Sequence, residues 1–507
     1  MKMIVIALVL FSITVSGLLS AYAQIEPNVN VRLETVASNL EIPWSIAFAP
    51  DGRIFFTERI GNLRVIEDGT LKARPIYTVD VGGGEGGLLG IALDPNFEEN
   101  HYLYLYYTSP EFVFAFNKVV RFTEKDNKLF DQMVLLDGIP ASFIHDGGRL
   151  KFGPDGKLYI TTGDAANSAA AQDLNSLSGK ILRINPDGTI PDDNPFPASP
   201  VYSYGHRNPQ GLDWDPETGK LVISEHGSSG HDEVNVVEPG SNYGWPEVIG
   251  DESDSQYISP IIHTGELTWA PSGATFYTGD KISDLKDKFL IATLRGKHLR
   301  VLQLDIEDNK VLSNQVMFQD TFGRLRDIAQ GPDGYLYLLT SNRDGRGSPV
   351  PNDDRIFRII SSFVVSKFVI EAEGTEFPVN VRSESEILSV DFDQELKEIV
   401  FGVEKTTEGS VSLTLSKELL GGPYSVSINS AETAFTLSEN NTHATIYVEL
   451  PRGSTKVLVI GTTAIPEFPT TLFVMVAAAS LIIIFSSTKF TVNRWNIRKL
   501  DEKFTRL

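Results

Sequence analysis

Apolar and polar residues alternate along the first two thirds of the chain in a pattern that recurs. Each copy has a short alternating run, a turn, and a second alternating run rich in aromatic residues, as in "LKFGPDGKLYITTGD". Three copies turn on Pro-Asp-Gly, in which Pro presets φ and Gly accepts a positive φ. Alternation of this kind predicts half-buried strands, so each copy predicts a β-hairpin. The copies begin at Ile46, Ile91, Leu150, Leu212, Ala274 and Ile328, of which the fifth is degenerate.

The regular spacing of the hairpins predicts an all-β fold with a six-bladed β-propeller over residues 31–362. The copies recur at intervals of roughly 45–60 residues, which suits one four-stranded blade each. The alternative, one large β-sandwich, would not require this spacing. Loops at one end of a propeller surround a central channel, so we expect charged residues at the strand ends of several copies to meet there. These residues are Glu58, Asp164, Glu225, His226, Arg343 and Asp344.

The repeat stops after residue 362. Residues 366–460 contain short alternating runs such as "SVSLTLS" and "HATIYVEL", without a cluster of titratable residues. This pattern predicts a small β-sandwich that acts as a spacer.

Both ends of the chain carry membrane-targeting patterns. Residues 1–23 read as a secretory signal peptide cleaved before Gln24, with a retained N-terminal anchor as the alternative. Residues 466–488 predict a transmembrane segment, and the basic tail 489–507 that follows is expected to face the cytoplasm. The chain is therefore expected at the extracellular face of the membrane. Its "PEFP" motif at 466–469 resembles sorting tails of archaeal surface proteins, so the tail could instead be cleaved and replaced by another anchor.

Composition narrows the classes of function. The net charge is −22, from 66 acidic and 44 basic residues, which argues against nucleic-acid binding. The chain has no cysteine, so neither disulfides nor thiolate metal sites are available. Against this acidic background, clusters of arginine carry more information.

Two clusters of candidate residues lie at strand ends. His145 is followed by Gly147 and Gly148, which let backbone approach a ligand closely, although an isolated loop histidine is more often only exposed. In "GHRNPQG" the planar donors of Arg207, Asn208 and Gln210 suit carboxylates and carbonyls, with a surface salt bridge as the alternative.

Further basic residues occur in pairs two positions apart. Arg324 and Arg326 share one face if their segment is extended, and Arg295 and Lys297 have the same spacing. Solvated strand faces often have this pattern. Several such pairs in an acidic chain favour a polyanionic ligand.

An oxygen-rich loop follows the fourth hairpin. Gly227, Ser228, Asp232, Glu233 and Tyr243 offer carbonyl, carboxylate and hydroxyl oxygens, which suit Ca²⁺ better than zinc. A transition-metal site is the alternative, although the spacing of the histidines is irregular. The histidines concerned are His145, His206, His226 and His231.

Seven motifs occur along the chain in the order "IHDGGRL", "YGHRNPQGL", "SEHG", "DEVN", "NYGWP", "APSG" and "GRLRD". As an ordered set they resemble the soluble PQQ-dependent aldose sugar dehydrogenases, the glucose/sorbosone dehydrogenase family of six-bladed propellers. The resemblance covers about residues 31–362. The later domain and the tail lie outside it.

The resemblance implies roles for individual residues. His145 matches the catalytic base, which takes the proton of the anomeric hydroxyl of the sugar. The matches to PQQ contacts are Arg207, Asn208, Gln210, Arg324, Arg326 and Arg295, with Lys297 as the alternative to Arg295. Gly227 and Ser228 match carbonyl ligands of a catalytic Ca²⁺. Glu233 and Tyr243 match a second, structural Ca²⁺ site.

Two departures from the family pattern lie on the substrate side. Ile144 stands where glucose-oxidising members have an aspartate that contacts the sugar, and the substrate-site residue Glu85 stands where glutamine is usual. The identity of the sugar is therefore open.

The implied activity is oxidation of an aldose at the anomeric carbon to the lactone, with PQQ and Ca²⁺ as cofactors and a quinone or redox protein as electron acceptor. One alternative is a calcium-dependent lactonase, which would need His145 and calcium but no arginine cluster. The other alternative is a non-catalytic propeller that binds a partner at the cell surface.

Overall fold

A computed structural model describes residues 29, 31–110, 115–250, 252, 254–404 and 409–465. The chain forms two compact units, Met1–Ile360 and Ser361–Leu507. The predicted signal peptide (1–23), transmembrane segment (466–488) and tail (489–507) lie outside the described residues. Across the described ranges, no helix is both long and apolar enough to cross a bilayer.

The first unit consists of short antiparallel strands with one short α-helix. The helix α1 is Phe97–Asn100, and 3₁₀ turns occur at Ser168–Ala171 and Ser283–Leu285. The strands are β1 (Val31–Ala37), β2 (Pro43–Phe48), β3 (Ile54–Glu58), β4 (Asn62–Glu67), β5 (Thr70–Leu71), β6 (Tyr77–Thr78), β7 (Leu88–Leu93), β8 (Tyr102–Thr108), β9 (Phe116–Lys125), β10 (Lys128–Pro140), β11 (Leu150–Phe152), β12 (Leu158–Thr162), β13 (Lys180–Ile184), β14 (Val201–Tyr204), β15 (Pro209–Trp214), β16 (Leu221–Glu225), β17 (Glu233–Val237), β18 (Ile262–His263), β19 (Pro271–Tyr277), β20 (Lys288–Thr293), β21 (Leu299–Asp305), β22 (Lys310–Met317), β23 (Leu325–Gln330), β24 (Leu336–Thr340) and β25 (Ile356–Ser361).

These strands form six sheets, each of which runs in chain order except the last. The first sheet is β2-β3-β4-β5 with β6 beside β4, and the next four each take four successive strands from β7 to β22. The last sheet is β1-β25-β24-β23, so the N-terminal strand completes the sheet formed by the final strands of the unit. Successive sheets contact one another, and β23 also contacts β2, which closes a ring. The all-β class is confirmed, and a closed ring of six sheets is the arrangement of a β-propeller.

The turns of the repeat fold as their residues require. In "APDGR" Gly52 has φ +89°, and the equivalent glycines Gly156 and Gly334 have φ +71° and +79°. Each turn joins two adjacent strands of its sheet, with Phe48 paired to Ile54 in the first sheet.

The second unit has two five-stranded antiparallel sheets around a shared apolar core. The strands are β26 (Val364–Ala372), β27 (Thr375–Ser383), β28 (Ile387–Asp393), β29 (Glu398–Val403), β30 (Gly409–Ser416), β31 (Leu420–Gly421), β32 (Ser425–Ile428), β33 (Ala431–Glu432), β34 (Thr436–Glu439), β35 (His443–Leu450), β36 (Lys456–Ile460) and β37 (Thr463–Ala464). The orders of the two sheets are β26-β27-β30-β35-β34 and β28-β29-β36-β32-β33, with β31 and β37 paired separately. Val381, Phe401 and Val459 are among the buried residues of the shared core.

Candidate active site

A cavity of about 620 Å³ lies in the first unit, within the size range of small-molecule sites. Six guanidinium groups line it, against two carboxylates, so its lining has a surplus of positive charge. Such a lining suits an anionic ligand. The charged lining residues are Arg59, Arg207, Arg295, Arg324, Arg326, Arg346, Glu85 and Asp344.

His145 lines the cavity from the loop between β10 and β11. Its backbone N–H donates to Glu85 Oε2 at 2.9 Å, and its Nδ1 lies 2.7 Å from Asp164 Oδ1. With Nδ1–H donated to that carboxylate, Nε2 is the basic nitrogen. Burial opposes ionisation of Asp164, but the interaction with His145, together with hydrogen bonds from Trp245 and one backbone N–H, outweighs it and lowers the pKa of Asp164. The pair is a candidate general base with its orienting carboxylate.

Gly163 permits the close approach of the segments that carry His145 and Asp164. A Cβ at Gly163 would lie 2.0 Å from the carbonyl oxygen of His145 and 3.0 Å from Asn208 Oδ1. Only glycine fits there without moving the backbone.

Arg324 and Arg326 both reach the carboxylate of Asp344. The distances to Asp344 Oδ2 are 2.8 Å from Arg324 Nε and 3.5 Å from Arg326 Nη2. Arg326 Nη1 also donates to Gln210 Oε1 at 3.1 Å, and its Nε is buried with no hydrogen-bond partner in the described structure. Burial lowers the pKa of Arg326 to about 9. An anionic ligand would offset this burial cost.

Arg207 and its neighbour Asn208 lie on the side of the cavity near the loop that contains Gly227 and Ser228. Arg207 Nη1 donates to the carbonyl of His226 at 3.2 Å, and its guanidinium lies 5.3 Å from the ring centre of Trp245. Asn208 does not itself line the cavity; its Oδ1 accepts the N–H of Gly147 at 3.1 Å. Arg207 Nε and Asn208 Nδ2 are buried donors with no partner among the described residues. A ligand with oxygen acceptors would satisfy such groups.

The structure separates Arg295 from Lys297. Arg295 lines the cavity, whereas Lys297 does not and faces Asp320, with the two charged groups 3.8 Å apart and the lysine side chain 50% exposed. The expectation that both share one face fails because the segment is a loop after β20, and Lys297 has φ +52°. Of the two alternatives for a cofactor contact, only Arg295 is at the cavity.

The predicted calcium ligands lie together at a second, smaller cavity of about 10 Å³. It is lined by Gly227, Ser228, Glu233 and Tyr243, and it shares Arg207 with the larger cavity. Burial and then the charge of Glu225 raise the pKa of Glu233 to about 8. Since two acidic side chains repel one another there, a cation would stabilise both.

The polar atom of one predicted ligand at the second cavity is bonded to the backbone instead. The hydroxyl of Tyr243 donates to the carbonyl of Val236 at 2.7 Å. In the described part of the chain, no three Asp, Glu or His side chains are grouped to hold a metal, so the predicted set depends on carbonyl oxygens.

Sequence reasoning gave no role to several lining residues. Arg59 directly follows Glu58 at the end of β3, and Arg346 lies two positions after Asp344. The search for charged residues at strand ends found their neighbours Glu58 and Asp344. Had it covered two more residues beyond each strand end, it would have included both arginines. His226, which the strand-end pattern does predict at the channel, also lines the cavity, where burial lowers its pKa to about 3 against the opposing charge of Glu85.

Comparison with known proteins decides the family. The family model described as Glucose / Sorbosone dehydrogenase matches residues 40–351. The chain belongs to this family. The family and the oxidoreductase class predicted from the motifs are therefore confirmed.

Relatives in this dehydrogenase family include characterised sugar dehydrogenases. The aldose sugar dehydrogenase of Escherichia coli K12 is 34% identical, over 62% of this chain and 91% of the relative. Quinoprotein glucose dehydrogenase B of Acinetobacter calcoaceticus is 31% identical, over 61% of this chain and 85% of the relative. A solved structure, the PQQ-bound aldose sugar dehydrogenase of Streptomyces coelicolor, is 36% identical with a TM-score of 0.59, over 66% of this chain and 99% of that one.

Proposed function

We propose that the protein oxidises aldose sugars at the anomeric carbon to lactones, with PQQ and Ca²⁺ as cofactors. The observation that carries this proposal is the arginine-rich cavity with His145 on its wall and Asp164 holding that histidine. The PQQ-bound relative supports the choice of cofactor.

The residues at the cavity fit a tricarboxylate quinone. PQQ has three carboxylates, and burying them requires fixed cationic donors. Arg207, Arg324 and Arg326 would hold these groups with Arg295, and the unsatisfied buried nitrogens of Arg207 and Arg326 are available to oxygen acceptors. Asn208 does not line the cavity and would act indirectly, by holding the N–H of Gly147. Gln210 would act indirectly, because its Oε1 holds Arg326 Nη1.

His145 would take the proton of the anomeric hydroxyl on Nε2. Asp164 holds Nδ1 and stabilises the imidazolium that results, as the 2.7 Å contact requires. Glu85 holds the backbone of His145 and would lie beside the sugar. When bound, PQQ supplies the two-electron acceptor and Ca²⁺ a Lewis acid beside it.

The calcium part of the proposal rests on the second cavity. The carbonyl oxygens of Gly227 and Ser228 would bind the catalytic ion, whereas Glu233 and Tyr243 would serve a structural ion. The raised pKa of Glu233 beside Glu225 supports a cation in this region.

We place the enzyme outside the cell, exported by residues 1–23 and anchored by residues 466–488, on the sequence pattern alone. The six-sheet unit would be the catalytic propeller and residues 366–460 a β-sandwich spacer. The electron acceptor would be a quinone or a redox protein.

A reconstitution assay tests the function. Full-length protein is given PQQ and Ca²⁺ and assayed for reduction of an artificial dye across a panel of aldoses. We expect dye reduction that requires both additions, with kcat lowered about 10²–10⁴-fold in His145→Ala, because general-base catalysis contributes about that much. Bound PQQ should persist in the variant.

Two other outcomes would contradict the proposal. Hydrolysis of lactones without PQQ would indicate a calcium-dependent lactonase. Absence of turnover with every aldose in the fully loaded protein would favour a surface-binding role.

A further inference from the structure

The charged residues that line the cavity form two groups: those proposed to hold PQQ, with Asp344, and those that are left over. The four arginines proposed to hold PQQ share the cavity with the carboxylate of Asp344, which leaves three positive charges for the three carboxylates of PQQ. Outside this set, Arg346 Nη1 forms an ion pair with Glu85 Oε1 at 2.6 Å. Arg59 is then the one guanidinium whose charge is not offset. Ca²⁺ in the second cavity would add positive charge rather than remove this surplus.

Arg59 is held in place without an acidic partner. Its Nη2 donates to the backbone carbonyl of Asp344 at 3.2 Å, and no carboxylate among the described residues forms an ion pair with it. Burial lowers its pKa, although the charges of Asp344 and Glu85 oppose this effect. Arg59 is half-buried, and a guanidinium that keeps its charge in such a place is stabilised by a bidentate anion.

The position of Arg59 places the surplus charge on the substrate side. Its backbone carbonyl accepts the N–H of Leu88, which anchors it beside the segment that carries Glu85. Glu85 in turn contacts the backbone of His145 and the side chain of Arg346. Arg346 therefore contacts the residue that holds the candidate base, and Arg59 is bonded to the neighbouring segment.

We propose that the preferred substrates are aldoses that carry a carboxylate, the uronic acids, and that Arg59 binds this carboxylate with Arg346 beside it. This inference rests on the proposed function. A neutral aldose would cover the half-buried Arg59 charge without pairing it, whereas a uronate supplies the one negative charge that is missing.

Binding without turnover tests the inference directly. Methyl glucuronide and methyl glucoside lack a free anomeric hydroxyl, so both can be titrated calorimetrically into protein loaded with PQQ and Ca²⁺. We expect the glucuronide to bind at least ten-fold more tightly, and Arg59→Gln to remove most of this difference. Arg32→Gln, which loses the same charge at a side chain that is 67% exposed, should keep it.

Kinetics and cofactor titration separate the ways in which the inference could fail. The ratio of kcat/KM for glucuronate to that for glucose should fall at least ten-fold in Arg59→Gln, with PQQ affinity retained. Equal binding of the two glycosides by the unmodified protein would overturn the uronate preference. A weaker affinity for PQQ in Arg59→Gln, with the ratio unchanged, would instead make Arg59 a cofactor residue. Oxidation of neutral aldoses alone would leave the proposed function standing, whereas no oxidation of any aldose would remove it.

Discussion

At the residue scale, Asp146 directly follows His145 in the chain, and its carboxyl is buried. Its Oδ1 accepts from Asn117 Nδ2 and from the N–H of Ser142, both at 3.2 Å, while its Oδ2 is buried with no partner in the described structure. Burial raises the pKa of Asp146 from 3.8 to about 7. Folding therefore favours the protonated form, and the associated stability is complete below pH 4 and is lost as the pH rises towards 7.

The variant Asp146→Asn removes this titration. We expect its free energy of unfolding, relative to the unmodified protein, to rise by on the order of 3 kcal/mol between pH 4 and pH 8. Chemical denaturation at both pH values measures the change. A difference between the two proteins that is independent of pH would show that Asp146 is charged in the folded state.

The sequence predicted which residue types form the site better than it predicted which side chains point into the cavity. Arg324 and Arg326 both reach the cavity, as their spacing predicts. Arg295 and Lys297 have the same spacing, yet the positive φ of Lys297 turns its loop away. The role of Asp164 was also hidden, because its contact with His145 spans 19 residues and depends on how two loops pack. The surplus charge of Arg59 becomes apparent only when the partners of every arginine are known.

At the element scale, the loop after β12 is restricted to glycine at position 163. We expect Gly163→Ala to lower the melting temperature and to reduce activity at least ten-fold, because its Cβ would displace the carbonyl of His145, 2.0 Å away. Gly83→Ala is the control, since a Cβ there meets nothing within 4 Å. Thermal melts and dye reduction give the two readouts. Similar behaviour of the two variants would contradict the steric argument.

The hairpins themselves could be predicted from sequence because their turns and alternation are local. Gly52 and Gly156 take the positive φ that Pro-Asp-Gly turns require, and the strands on either side pair across the turn. The outer strands are harder to predict, since β5 and β6 have only two residues each and both pair with β4. Such short strands depend on contacts with their neighbours rather than on their own pattern.

At the scale of the whole molecule, the first unit is closed by its N-terminal strand. β1 pairs with β25, and Val31 and Leu33 pack against the core that holds Leu338 and Phe357. No local pattern predicts this pairing, because it joins the two ends of the unit. Repeat count and spacing predict a ring, but the partner of the first strand is set by closure.

Removing β1 should therefore weaken the entire ring. We expect a variant lacking residues 24–37 to melt roughly 10 °C lower than one lacking residues 24–28, because it loses both the strand pairing and apolar burial. Differential scanning calorimetry compares the two. Equal melting temperatures would mean that β1 contributes little to closure.

The proposed function of the protein depends on an anion-binding cavity built from arginines. The most direct measurement is a titration of the full-length protein with PQQ in the presence of Ca²⁺, followed by calorimetry. We predict one PQQ per chain with a dissociation constant at or below the micromolar range, weakened at least ten-fold in Arg326→Gln. No complex at micromolar concentrations, or equal affinity in that variant, would contradict the central claim.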